Sequence, residues 1–403
     1  MKARSGRLLL ALSVILTACS GGGDGGGGGG TPTATPSTGT FVDAPVQGLT
    51  VQSGNLQGLT TATGSFQYFP GQPTSFFVGA LNLGTVGNLP ANAIVTPLNL
   101  TQTPNPTPNT PGVVNRLMLL QALDRDGDPT NGIVIPAQTL QAAATWSPVD
   151  FDNIPPTSFQ TMLAPAILNN LPSPLPSPAT ATSNFSDGLV CAISGHYAGT
   201  FSGTDTGPWT VVIDATDNRL TGAGFSTSAQ AIFFLNGLFT PNAENNILLG
   251  DVSTGASFAG VVSSVGVSGT WNNPPTASGT FAGSKTVLPV PAGAQGTIYR
   301  GVYLGSEFTS TPPTDEGDLG PFVLVIDGQT LTGSGYSAAD DAPLTLTGSV
   351  IGNAVTGEVF ETGTKVADFT GTIGTTGKLT GSFTTIPALG GGTGSFDACR
   401  TTS

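Results

Sequence analysis

Residues 207–226, GPWTVVIDATDNRLTGAGFS, return at residues 320–337 as GPFVLVIDGQTLTGSGYS. In the first stretch Trp209, Val211 and Ile213 alternate with Thr210, Val212 and Asp214; in the second Phe322, Leu324 and Ile326 repeat the arrangement. A period of two places alternate side chains on opposite faces of a strand, so one face of each is consistently apolar. Asn218 and Gly328 fall where a tight hairpin turn needs a residue that tolerates positive φ. The flanking blocks recur in the same order: YAGTFSG (197–203), FAGVVSSVGVSGTW (258–271) and ASGTFAGSK (277–285) in one copy, YRGVYLG (299–305), FTGTIGTTGKLTGSF (369–383) and GTGSFDACR (392–400) in the other. The carboxyl-terminal half is therefore an internal duplication, residues 191–290 and 296–403. Each copy has room for some eight short strands joined by tight turns.

Eight sequential strands favour an up-and-down meander that closes on itself, because closure removes the edges that would otherwise pair with other chains. Glycines beside aromatics, as in GTF, GTW and GSF, suit small, strongly curved barrels. In style this Gly-aromatic pattern resembles the avidin and lipocalin-type barrels and those of neisserial transferrin-binding lipoproteins, although the second copy has no tryptophan. A membrane-spanning barrel is disfavoured: the runs are short, rich in Ser, Thr and Gly, and lack a lipid-facing apolar band.

Working towards the amino terminus, residues 176–190 are dense in Pro and Ser and are expected to be a linker. Residues 41–175 combine short β-like runs, such as Ser65-Phe66-Gln67-Tyr68 and Phe76-Phe77-Val78, with a segment of helical period. There Thr110 and Pro111 form an N-cap and N1 pair ahead of VVNRLMLLQAL (113–123), in which Val113, Leu117 and Leu120 share a face. A second helix is expected over Phe159 to Leu171, bent or broken at Pro165. The expected fold class is mainly β: a small N-terminal β-sandwich with a short helical segment, followed by two tandem antiparallel up-and-down eight-stranded barrels.

VDAPV (42–46), GLTTATGSFQYFPG (58–71) and NRLMLLQALDRDGDPTNGIVIP (115–136), in that order, resemble a recurrent amino-terminal module of proteobacterial surface lipoproteins and adhesin-like exported proteins. The resemblance covers Phe41 to Leu171 and implies surface display without catalytic residues. Its first part is also similar, more weakly, to the carboxypeptidase-regulatory or transthyretin-like sandwich. Asp124, Asp126 and Asp128 follow the helix at alternate positions, a spacing at which loop carboxylates can converge on Ca²⁺. Pro129 occupies the glycine position of an EF-hand loop and Ile135 that of its bidentate Glu. A solvated turn is the favoured reading, and a structural Ca²⁺ site is the alternative.

At the amino terminus, Lys2, Arg4 and Arg7 precede the apolar stretch Leu8 to Leu16, the n- and h-regions of an export signal too short to span a bilayer. Leu16-Thr17-Ala18-Cys19 resembles the bacterial lipobox. That resemblance implies cleavage after residue 18, diacylglycerol on the sulfur of Cys19, and a further acyl chain, commonly palmitate, on the new amino terminus; a plain secretory signal with a chance cysteine is the alternative. Two or three chains give a stable anchor where one does not. Gly21 to Gly30 hold nine glycines and, with the Thr/Pro stretch to Thr40, form a tether (19–40) with an end-to-end distance of about 25 Å. Ser20 stands where, in enterobacterial lipoproteins, Asp would favour inner-membrane retention, so the cell outer membrane is expected, with the leaflet open.

Cleavage leaves eight bases against 24 acids, a net charge of −16, and so acidic a chain has no footprint for nucleic acid. With Cys19 lipidated, Cys191 and Cys399 remain as an even pair in an oxidising compartment, either bridged or as two buried thiols. The single histidine, His196, is expected to be packed or at a barrel rim. There is no Gly-x-Ser-x-Gly elbow, P-loop, HExxH or CxxC, and the carboxylate pairs Asp315–Glu316 and Asp340–Asp341 read as solvated loop charge. No enzyme is expected. Two main readings remain, a surface-displayed binding or adhesion lipoprotein presenting its loops to a macromolecular partner, or barrels that enclose a small apolar ligand; an envelope protein with a structural role is a third. Large side chains filling the lumen would reject the second; an apolar void with a few converging polar groups would support it. Replacing Cys19 by Ala should move the protein from the membrane to the soluble fraction; a variant that stays in the membrane refutes the lipobox.

Overall fold

The computed structural model describes residues 35–214, 218–240, 246–263, 266–291, 293–306, 318–374, 376–389 and 391–401. The export signal, Cys19 and most of the tether lie outside the described residues. The expected fold class holds: two closed antiparallel eight-stranded barrels follow a small sheet-and-helix region.

In that first region the strand Ser37–Phe41 lies between Ser65–Tyr68, antiparallel, and Ile94–Val95, parallel. A second sheet orders Leu56–Leu59, Thr50–Ser53, Thr74–Val78 and Leu81–Val86. The two sheets meet through the rings of Phe41, Phe66 and Phe76, whose centroids are 5.1 Å apart in both pairs. The helix Pro111–Ala122 is buried on every side rather than on one face. Its polar residues find partners inside: Arg116 donates to the Leu83 and Gly112 carbonyls and forms an ion pair with Asp152 at 2.7 Å, and the Asn115 amide nitrogen donates to the Phe151 and Ile154 carbonyls, while Asn115 Oδ1 accepts from no described residue. Thr110 is the N-cap residue, but its hydroxyl accepts from the Thr107 amide instead of capping the helix. The segment expected as one helix over Phe159 to Leu171 is two single turns, Phe159–Met162 and Pro165–Leu168. Ala164, ahead of Pro165, is held extended at ψ 144°, as a residue before proline is.

Residues 176–190 are not a linker. They form most of the 16-residue helix Pro178–Ile193, capped by the Ser177 hydroxyl accepting from the Thr180 amide at 3.1 Å. Ala181, Phe185, Leu189 and Ile193, spaced by four, bury one stripe, and the helix packs on Pro111–Ala122. The prolines before it end at N1, where proline suits a helix start.

Barrel 1 runs through the strands Gly195–Gly203, Gly207–Asp214, Arg219–Ser226, Ala231–Thr240, Asn246–Val252, Ser257–Val262, Gly266–Asn273 and Ala277–Lys285, and closes by pairing the first with the last, Tyr197 opposite Lys285 and Phe201 opposite Phe281. Barrel 2 runs through Thr297–Gly305, Leu319–Asp327, Thr330–Ser337, Ala342–Ile351, Ala354–Glu361, Thr364–Ile373, Leu379–Thr385 and Thr393–Thr401, and closes between Ile298–Gly305 and Gly394–Thr401. Asn218 and Gly328 adopt φ of 53° and 59° in equivalent hairpins, the left-handed conformation those turns require. The carboxyl end of the helix Pro178–Ile193 abuts one end of barrel 1: the Tyr197 hydroxyl donates to the Ile193 carbonyl at 2.6 Å and Lys285 Nζ to the Ala192 carbonyl at 3.0 Å. Val212 of barrel 1 packs with Val302 and Leu319 of barrel 2.

Cys191, in the last turns of that helix, is disulfide-bonded to Cys399 in the last strand of barrel 2, with Cα atoms 5.6 Å apart. The bond closes 208 residues, and restricting so long a loop in the unfolded chain is worth up to about 5 kcal/mol. Reduction with dithiothreitol, or Cys191→Ser with Cys399→Ser, should therefore destabilise the fold by roughly 2–5 kcal/mol in thermal or denaturant unfolding. An unchanged transition would show that the bridge constrains nothing.

Candidate ligand-binding cavities in the two barrels

Each barrel is hollow towards the end away from the disulfide. In barrel 1 a cavity of about 360 Å³ is bounded by Phe201, Trp209, Val211, Phe233, Phe258, Trp271 and Phe281. In barrel 2 a cavity of about 310 Å³ is bounded by Tyr303, Phe322, Leu324, Leu344, Phe369, Phe383 and Phe396. The strand pairings superimpose these walls position by position: Phe201 corresponds to Tyr303, Trp209 to Phe322, Phe233 to Leu344, Trp271 to Phe383 and Phe281 to Phe396. The aromatic contacts are duplicated as well. Edge-to-face pairs Phe201–Trp271, Trp209–Phe281 and Phe258–Phe281 in barrel 1 recur as Tyr303–Phe383, Phe322–Phe396 and Phe369–Phe396 in barrel 2, all with centroids 5.7–6.1 Å apart.

Glycine explains why so many rings leave a void. A Cβ on Gly260 or Gly269 would come within 2.6 Å of Phe281 Cζ, and one on Gly381 within 2.4 Å of Phe396 Cζ. The tips of these rings sit over bare backbone of neighbouring strands, in space that a side chain there would take. Eight strands enclose a space that side chains can just fill, and here the side chains leave part of it empty.

The polar groups gather at the open end. Asp205, two residues ahead of the Gly-Pro that starts the second strand, accepts from the Ser226 hydroxyl at 2.6 Å and from the Ser228 and Thr206 amides at 3.0 and 2.8 Å. Burial raises its pKa, and those hydrogen bonds outweigh burial and hold the carboxyl below its ordinary value. Asp318 occupies the same place in barrel 2, accepting from the Ala339 amide at 3.2 Å and from the Tyr303 hydroxyl at 2.6 Å. Burial leaves Asp318 raised and pushes Tyr303 well above its usual range, with the Asp318 charge adding to the latter. Ser226 and Ser337 are likewise equivalent, each hydroxyl accepting from the amide three residues on, Ala229 or Asp340. The sequence carries a signal for this mouth, an Asp two residues before each Gly-Pro and a Ser ending each matched block.

The residues singled out from the sequence are placed elsewhere. Asp124, Asp126 and Asp128 are not brought together around a common point. The Asp124 carboxylate, 1% exposed, accepts from the Val134 amide; Asp126 accepts from the Asp128 amide and Asn131; Asp128 accepts from Thr130 and forms an ion pair with Arg400 of barrel 2 at 3.0 Å. Burial, with Asp126 alongside, pushes Asp124 up to about 6. Among the described residues no group of three His, Cys, Asp or Glu side chains is arranged to hold a metal ion. Asp340 and Asp341 are exposed in a turn, as loop charge is, and Asp340 also borders the barrel 2 cavity; Asp341 accepts a hydrogen bond from the Tyr336 hydroxyl, and Asp315 and Glu316 lie outside the described residues.

The chain matches no family model, and no curated protein matches its sequence. Among solved structures, it is similar to a mutant of the vaccine antigen transferrin binding protein B from Haemophilus parasuis, at 10% identity over 48% of this chain and 53% of that one, with a TM-score of 0.20. It is also similar to the isotype 1 transferrin binding protein B of serogroup B Neisseria meningitidis, at 12% identity over 49% of this chain and 63% of that one, TM-score 0.19. A Nostoc punctiforme protein of unknown function matches at 10% identity over 52% of this chain and 97% of that one, TM-score 0.18. The chain thus spans less than two thirds of the first two structures, and likeness at this level bears on neither ligand nor partner.

His196 lines neither cavity. It is 3% exposed, with Nδ1 2.8 Å from the Thr286 hydroxyl and Nε2 2.6 Å from the Thr210 hydroxyl, and burial pulls its pKa from 6.5 down to about 4. The fold therefore holds the neutral ring, and between those two pH values the unfolded chain binds the extra proton. This contribution to stability is present above pH 6.5 and lost as pH falls towards 4, by on the order of 3 kcal/mol in all. In urea titrations, the stability difference between the wild type and His196→Gln should shrink by that amount from pH 7 to pH 4. A difference independent of pH would show that His196 titrates normally in the fold.

Proposed function

We propose that this protein is an exported, lipid-anchored binding protein of the cell outer membrane whose barrels each hold a small, largely apolar ligand. The observation that carries the reading is the barrel 1 cavity: about 360 Å³ walled by aromatic and aliphatic side chains, with its charge confined to Asp205 at the mouth. Cavities of roughly 300 Å³ and upward, mostly apolar with a few convergent polar groups, are the form that small-molecule sites take. A protein that only displayed its loops to a macromolecular partner would gain nothing from an empty bore, and core packing ordinarily fills one. The anchor at Cys19 and the acidic tethered chain fit residence at an envelope surface.

Two of the three tryptophans, Trp209 and Trp271, border the barrel 1 cavity, so their emission reports occupancy. A neutral apolar fluorophore, N-phenyl-1-naphthylamine, should bind with micromolar affinity and quench that emission. Filling the bore with Ala256→Trp should weaken binding in barrel 1 at least tenfold, and Ala367→Trp at the equivalent position should do so in barrel 2, each with unchanged far-ultraviolet circular dichroism. Saturable binding that neither substitution disturbs would place the ligand outside the lumens and overturn the proposal.

A further inference from the structure

The two bores differ in charge where they coincide in shape. By register Val252 of barrel 1 matches Val359 of barrel 2; two residues further on stand Thr254, in a turn, and Glu361, in a longer hairpin opposite Leu344, while Ala229 matches Asp340. With Asp205 retained as Asp318, among the described residues one carboxylate borders the barrel 1 cavity and three, Asp318, Asp340 and Glu361, border that of barrel 2. Among the described residues no Lys or Arg borders either cavity. The rest of the barrel 2 wall is mostly apolar, and the hydroxyls it has where barrel 1 has none are already donated, that of Tyr303 to Asp318 and that of Thr385 to the Gly392 carbonyl.

Resting on the reading that the lumens are ligand sites, we propose that barrel 2 selects an apolar ligand bearing one cationic group, an amphiphilic amine, while barrel 1 takes a neutral apolar ligand. The amine's hydrocarbon enters the bore and its ammonium stays at the mouth among Asp318, Asp340 and Glu361. Three carboxylates around one opening repel one another, and a cation between them converts that repulsion into attraction. Their protonation is consistent with this strain: burial and the charges of Asp340 and Asp318 hold Glu361 above its ordinary value, and burial with Asp340 does the same for Asp318. In barrel 1 the single carboxylate is fully engaged by Ser226 and two amides, so it offers no comparable attraction.

A matched pair of probes, 2-(1-naphthyl)ethylamine and 2-(1-naphthyl)ethanol, differs only in the charged head. In the full chain carrying Ala256→Trp, calorimetry should show the amine binding barrel 2 at least tenfold more tightly than the alcohol. In the chain carrying Ala367→Trp, barrel 1 should show no preference for the amine. Glu361→Gln with Asp340→Asn should reduce the barrel 2 preference to threefold or less, whereas Asp327→Asn, at the opposite end of the barrel, should retain it. Where a filled variant does not fold, the wild type serves: amine binding to barrel 2 registers in calorimetry but leaves the Trp209 and Trp271 emission unchanged. Equal binding of amine and alcohol in barrel 2 overturns this inference and leaves ligand binding standing; failure of both probes in both barrels overturns the two together.

Discussion

The hydrogen-bonded seam between the first and last strand of each barrel is the constraint on which the structure depends. In barrel 1 it runs from Tyr197–Lys285 to Gly203–Gly279, and in barrel 2 from Ile298–Thr401 to Gly305–Gly394. Once it forms, no strand edge remains to recruit another chain, and the number of strands sets the diameter of the bore. The sequence then decides only what occupies that bore. By placing glycine opposite Phe281 and Phe396, it seats the ring tips over bare backbone and leaves part of the bore empty.

The amino-terminal region is organised around the other end of the barrels. The helix Pro178–Ile193 is shared: one stripe packs on Pro111–Ala122, its last carbonyls receive Tyr197 and Lys285, and Cys191 carries the bond to barrel 2. Asp128, on the turn after the Pro111–Ala122 helix, reaches Arg400 beside Cys399. Three elements distant in sequence are thus tied at one place, leaving the opposite ends of both bores open.

The barrels were legible because duplication doubles every signal: the alternation of Trp209, Val211 and Ile213 gains weight from Phe322, Leu324 and Ile326, and turn residues such as Asn218 and Gly328 recur in phase. The cavities were not, since local period says which face of a strand points inward but not whether inward side chains meet across the axis. That depends on which glycine lies beneath which ring in a neighbouring strand. The helix over 176–190 was obscured by prolines crowding its start, although Ala181, Phe185, Leu189 and Ile193 mark its buried stripe. Asp124, Asp126 and Asp128 had the spacing of a cation loop, but spacing does not reveal that each carboxylate is turned to a different backbone amide or to Arg400.

The bond between Cys191 and Cys399 turns the duplicated half into a covalent ring: the chain leaves the helix, passes through both barrels, and returns to the same helix. A single cut anywhere on that circuit, including the Pro- and Gly-containing stretch between the barrels, opens the ring without releasing a fragment. A nick between the barrels would leave barrel 1 joined to the amino-terminal region by the main chain and barrel 2 joined to it through Cys191.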